Sequence, residues 1–80
     1  MKKLTLEQLI EIGKSAPRVG DFGIKEAKDE ITFSLELCKR HGHQRSLYEM
    51  LGEYVERANT KDIVYNATMT YACWELINDI

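Results

Sequence analysis

Apolar residues recur along this chain at spacings of three and four, with no stretch of strict alternation, so the pattern predicts helices and no strand. Thr5-Leu-Glu-Gln8 has the form of a capping box, in which a hydroxyl and an amide side chain answer each other's backbone N–H groups. It opens a short helix over about Leu6 to Lys14, whose Leu6, Leu9, Ile10 and Gly13 share a narrow apolar face while Ile12 sits off it. Pro17 stops that helix, and residues 15–23 (SAPRVGDFG) form the longest loop.

Asp21 is the expected N-cap of a second helix, from about Phe22 or Ile24 to His41, ended by Gly42 as the residue free to take positive φ. Ile24, Ala27, Ile31, Leu35 and Cys38 form its core stripe. Phe33 and Leu37 lie roughly 160° around the helix and make a second apolar face, flanked by Glu26 and Glu30. That face is either core, lying under the short first helix, or an exposed partner site. Ser46-Leu-Tyr-Glu49 is a second capping box and opens a third helix to about Ala58, with Leu47, Leu51, Tyr54, Val55 and Ala58 inward. Gly52, in mid-helix, calls for a close helix crossing as compensation. Asn59 is the expected left-handed C′ residue and Thr60 the cap of the next helix, so helices three and four should turn back sharply on each other.

The fourth segment, residues 61–80 (KDIVYNATMTYACWELINDI), is apolar over most of its circumference. At about 100° per residue, Ile63, Ala67, Tyr71, Trp74 and Ile77 fall on one side and Tyr65, Met69, Ala72, Cys73, Leu76 and Ile80 on the other. Such a helix has to be surrounded, by its own chain or by another. The other helices offer stripes of limited width, enough for the side built on Ile63, Ala67, Trp74 and Ile77. The opposite side, toward the helix end, is then the first candidate for a subunit or partner interface. The expected fold is all-α: a compact four-helix domain over residues 1–80, one short N-terminal helix plus three longer ones, with the last helix central.

A chain of 80 residues buries only roughly 60% of its unfolded surface, so pairing into a homodimer through the last helix would add stability. The net charge of −2 and pI near 5.6 give no field for drawing in nucleic acid. No apolar run approaches the ~20 residues that span a bilayer, and Met1-Lys2-Lys3 is followed by Leu-Thr-Leu-Glu-Gln instead of a long apolar segment. The expected setting is cytoplasmic and away from membranes, with Cys38 and Cys73 reduced and buried as small hydrophobes.

Candidate chemistry is sparse. Gly13-Lys14-Ser15 resembles the tail of a phosphate-binding loop, but Gln8 stands where the loop needs glycine. Cys38-x-x-His41-x-His43 offers zinc-type donors, yet Cys38 follows the core stripe, His41 projects elsewhere and only Cys73 could add a fourth ligand; no metal or cofactor is expected. The densest positive cluster is Lys39-Arg40-His41-Gly42-His43-Gln44-Arg45. Cations gather at helix C-termini for structural reasons, and the same residues could contact phosphate or an acidic partner through Lys39, Arg40, His43 and Arg45, joined by Lys14, Arg18, Lys25 and Lys28. A DNA-reading role for the third helix fails on Glu49, Glu53 and Glu56, which phosphates would repel. These glutamates form a solvated side, no serine or cysteine has a histidine partner on a neighbouring face, and catalysis is not expected. Tyr48, Tyr54, Tyr65, Tyr71 and Trp74 suit either a core edge or an interface. Thr60-Lys-Asp-Ile-Val-Tyr65 resembles a helix of small nuclease-immunity proteins, but the surrounding helices depart from that pattern and no residue role is carried over.

The function these features predict is binding to another protein, as a small inhibitor, antitoxin-like or adaptor protein of bacterial or phage type that works by surface occlusion. The expected apolar contacts are Phe33, Leu37, Tyr65, Met69, Leu76 and Ile80. The alternative is a nucleic-acid or phosphate-binding accessory protein using the basic turn at 39–45.

Overall fold

Four helices, α1 (Leu6–Ser15), α2 (Ile24–Arg40), α3 (Leu47–Ala58) and α4 (Ile63–Asn78), make up the computed structural model, which describes residues 3–17 and 20–79. The domain is all-α, with no strand among the described residues. α1 starts with the full capping box, whereas α3 forms only the Ser46 half of the box expected over Ser46–Glu49. Thr5 Oγ1 accepts from Gln8 N at 3.2 Å while Gln8 Oε1 accepts from Thr5 N at 2.9 Å, and Ser46 Oγ accepts from Glu49 N at 3.1 Å. At the end of α2, Gly42 takes φ +76°, which lets its own N–H reach Lys39 O and the N–H of His43 reach Cys38 O at 2.8 Å.

Three caps differ from expectation. The N-cap of α2 is Gly23 instead of Asp21, with Glu26 Oε1 reaching back to accept from Gly23 N at 2.9 Å. Asn59 is right-handed, and the left-handed residue is Asp62 at φ 48°, the N-cap of α4. Thr60, the expected cap of α4, instead donates its hydroxyl to Arg57 O at 2.9 Å.

The last helix is central. α1, α2 and α3 each pack on α4, α1 also meets α3, and no close backbone approach joins α2 to α1 or to α3. α3 runs back along α4, bringing Leu47 O within 3.2 Å of the Cys73 thiol. One core cluster joins Ala27 and Ile31 of α2, Met50 and Tyr54 of α3, and Met69, Ala72 and Cys73 of α4; a second joins Leu9, Ala58 and Ala67. Residues 66–70 of α4 are buried without a break, which takes Asn66, Thr68 and Thr70 inside. They stay satisfied by turning back on their own helix: Thr70 donates to Asn66 O at 2.7 Å, Thr68 to Val64 O at 2.9 Å, and the Asn66 amide to Lys61 O and Asp62 O.

The close crossing lies at Gly13, and Gly52 is not part of one. A Cβ on Gly13 would collide with the Ala67 carbonyl and come within 2.8 Å of the Tyr71 Cβ, whereas one on Gly52 would meet nothing within 4 Å. The crossing seats α1 against α4, so α1 does not cover the Phe33–Leu37 face of α2. The assignment of sides on α4 holds for Ala67 and Ile77, which are covered, and for Tyr65, which is exposed, and fails for four residues. Ile63 and Trp74 are 47% and 36% exposed, while Met69 and Cys73 are 2% and 0% exposed. α2 and the Met50–Tyr54 part of α3 pack on the Met69–Cys73 side, while α1 and the end of α3, with Val55 and Ala58, cover Ala67.

Candidate functional site

The first turn of α4 presents three successive large apolar side chains to solvent: Ile63, Val64 and Tyr65 are 47%, 51% and 43% exposed. Beside them the loop between α1 and α2 crosses the flank of α4 and encloses a cleft of about 560 Å³, lined by Ala16, Pro17, Phe22, Ile24, Val64, Tyr65 and Thr68 among others. The Phe22 ring stacks on Tyr65 with centroids 5.2 Å apart and planes 26° from parallel. The Thr68 hydroxyl in the cleft wall is occupied by Val64 O. A second, shallower hollow lined by residues 58–65 opens on the other side of the same turn. The arrangement can take up an apolar side chain or ring; its walls offer no general acid or base other than the Tyr65 phenol, whose pKa burial raises above the usual tyrosine value.

Of the six apolar contacts expected from sequence, Phe33 and Leu37 lie on the outer face of α2, Phe33 being 61% exposed. Tyr65 lies at the cleft, on the opposite end of the molecule's central helix from Leu76, which packs half-buried against the larger core cluster. Met69 is a correction: it is buried between α2 and α3 and offers no surface to a partner. Ile80 lies outside the described residues. The longest exposed apolar run of α4 is therefore at its start, with Trp74 36% exposed further along, while toward the helix end Met69 and Cys73 are buried and Leu76 and Ile77 pack partly buried on the core. Ile63, Val64, Pro17 and Phe22 were not singled out as contacts. The signal available for them was a run of three bulky apolar residues at the open end of a helix, which the other helices have to reach past.

The basic turn is partly neutralised. Lys39, Arg40 and His43 are exposed, but Arg45 pairs with one carboxylate oxygen of Glu53 while Arg57 lies 3.4 Å from the other, so Arg45 is a correction to the phosphate-contact set. Glu53 faces the turn from the second turn of α3, within reach of both arginines. Lys28 is 2.9 Å from Glu75, which also accepts from the Tyr71 hydroxyl at 3.1 Å. The hydrogen bond with Lys28 lowers the Glu75 pKa, and the same bond raises that of Lys28. Arg18 lies outside the described residues. Cys38 and Cys73 are both free thiols; burial pushes Cys73 up to about 11. Among the described residues no group of three or more His, Cys, Asp or Glu could hold a metal ion, and no helix is long and apolar enough to cross a membrane.

No protein-family model, curated protein or solved structure matches the chain.

Proposed function

We propose that the protein acts by binding another protein through the start of α4, as an inhibitor, antitoxin-like or adaptor protein of bacterial or phage type that occludes a surface and catalyses nothing. One observation carries this reading: the run Ile63-Val64-Tyr65 stands exposed beside an apolar cleft. β-Branched residues add little to helix propensity, and leaving three large apolar side chains about half exposed forgoes roughly 1 kcal/mol each of the burial they could provide. Contiguous apolar surface beside a hollow is what anchor side chains of a partner use. Self-pairing is part of the same reading. The free thiols Cys38 and Cys73 support a reducing, cytoplasmic setting.

The phosphate-binding alternative keeps Lys39, Arg40 and His43 of the turn and the exposed Lys14 and Lys25, while Arg45 and Lys28 are held by carboxylates. Affinity capture from a lysate of the source organism tests the leading reading. Wild-type bait should retain a stoichiometric partner, Val64→Glu should lose it, and Phe33→Glu should keep it. A wild-type bait that retains nothing, or a partner indifferent to Val64→Glu, would overturn it.

A further inference from the structure

We propose that α2 opens from the domain as one cooperative unit while α1, α3 and α4 stay folded together, and that each opening takes down one wall of the cleft. No partner enters this inference, so its test stands apart from that of the reading above. The seam follows the packing. α1 and α3 both lie along α4 and also meet each other, whereas α2 has close backbone approach to α4 alone. Two of the 17 residues of α2 are buried, Ala27 and Ile31, a smaller share than in any other helix. Segments with few buried apolar contacts open at the lowest free energy. The second core cluster, built on Leu9, Ala58 and Ala67, contains no α2 residue among those described, so it remains closed when α2 leaves. α1 is shorter than α2, but the Gly13–Ala67 crossing and the bonds between Asn59 and Leu4 fix it.

Both boundaries of the unit carry a glycine in the left-handed region, Gly20 at φ +59° and Gly42 at φ +76°, and a Cβ on either would meet nothing within 4 Å. The backbone can turn at both without displacing a packed neighbour. The side-chain links across the seam lie at the surface. Lys28 and Glu75 are about a third exposed, and the Phe22 ring stacks on Tyr65, which is 43% exposed. An ion pair that water reaches adds little to closure. Phe22, Gly23 and Ile24 belong to the moving side and wall the cleft together with Val64, Tyr65 and Thr68 of α4. Opening removes that wall and uncovers the part of the larger core cluster that Ala27 and Ile31 close. A side chain seated in the cleft is therefore held by the closed form alone.

Native-state hydrogen exchange of the full chain, followed amide by amide by NMR through low concentrations of urea, tests the proposal. The amides bonded within α2 should share one opening equilibrium and exchange at least about tenfold faster than the best-protected amides of α4, with a smaller urea dependence. Two variants separate this from opening of the whole domain. Gly52→Ala stabilises α3, which is folded in both the closed and the α2-open forms, so it should slow exchange in α4 by roughly 2- to 5-fold and leave α2 unchanged. Ile31→Val weakens only the closed form and should speed α2 exchange by roughly 2- to 10-fold. Amides of α2 that slow together with those of α4 in Gly52→Ala overturn the proposal, because the domain then opens as one unit. Amides of α2 that exchange each at its own rate, fastest at the helix ends and unmoved by Ile31→Val, overturn it as well, because the helix then frays.

Discussion

Gly13 of α1 approaches Ala67 of α4 so closely that no side chain fits between the two backbones. Two glycines with opposite environments follow from this contact. Gly13→Ala should lower the unfolding free energy by about 1–3 kcal/mol, because backbone cannot yield as a flexible side chain can. Gly52→Ala, on an exposed helical position where the new methyl meets nothing within 4 Å, should raise it by about 0.5–1 kcal/mol. Urea denaturation of the two variants beside the wild type measures both signs; shifts in the same direction would contradict the crossing.

Asn59 supplies a second tie between distant parts of the chain. Its Oδ1 accepts from Leu4 N at 2.6 Å and its Nδ2 donates to Leu4 O and, at 2.9 Å, to Val55 O, so one side chain holds the segment before α1 onto the end of α3. Asn59→Ala should cost about 1–2 kcal/mol by leaving part-buried backbone groups without partners. The Leu4 amide should exchange with solvent much faster in the variant, and unchanged exchange would count against the tie.

Cys73 makes stability sensitive to alkaline pH. Burial raises its folded-state pKa from 9.0 to about 11, so the unfolded thiol ionises first. The contribution is complete below pH 9 and is lost progressively as pH rises toward 11. Chemical denaturation across that window should show a declining midpoint for the wild type and a flatter one for Cys73→Ala, whose baseline stability is lower throughout because a filled core position is emptied.

The Lys28–Glu75 pair acts in the opposite, acidic direction as well. Its carboxylate pKa is lowered, so that contribution is present above the ordinary glutamate range and is lost as pH falls through the folded value. The lysine pKa is raised, so the pair also weakens as pH rises through the lysine range. Both side chains are about a third exposed, which limits the coupling to a few tenths to about 1 kcal/mol. A double-mutant cycle with Lys28→Met and Glu75→Gln at neutral pH should return a coupling of that size, shrinking at acidic pH.

Helix number, order and most boundaries were legible because each depends on nearby residues: Thr5 with Gln8, Pro17, Ser46 and Gly42 act over one turn of chain. The centrality of α4 was legible too, from apolar residues all round a helix. What could not be read was rotation. Gly13 and Gly52 look alike in sequence, and only the crossing tells them apart. Periodicity gave Ile63 and Met69 equal standing on their respective sides, and the choice of covered side depended on where α2 and α3 both came to rest. Asn59 was read for its backbone freedom, whereas its amide was in use 55 residues away in sequence. The partner surface moved from the end of α4 to its start for the same reason: exposure is what remains after packing is decided.

A hub that is the last of four helices also sets when the domain can exist during synthesis. While α4 is still in the ribosome, α2 has no backbone neighbour and α1 has only its limited contact with α3, so Ala27, Ile31, Met50 and Tyr54 lack the Met69–Cys73 surface that joins them. The core contacts of the earlier helices are complete only once Ile63–Asn78 has emerged. A chain cut before α4 is therefore expected to lack a closed core and to show little cooperative unfolding, although it carries three of the four helices.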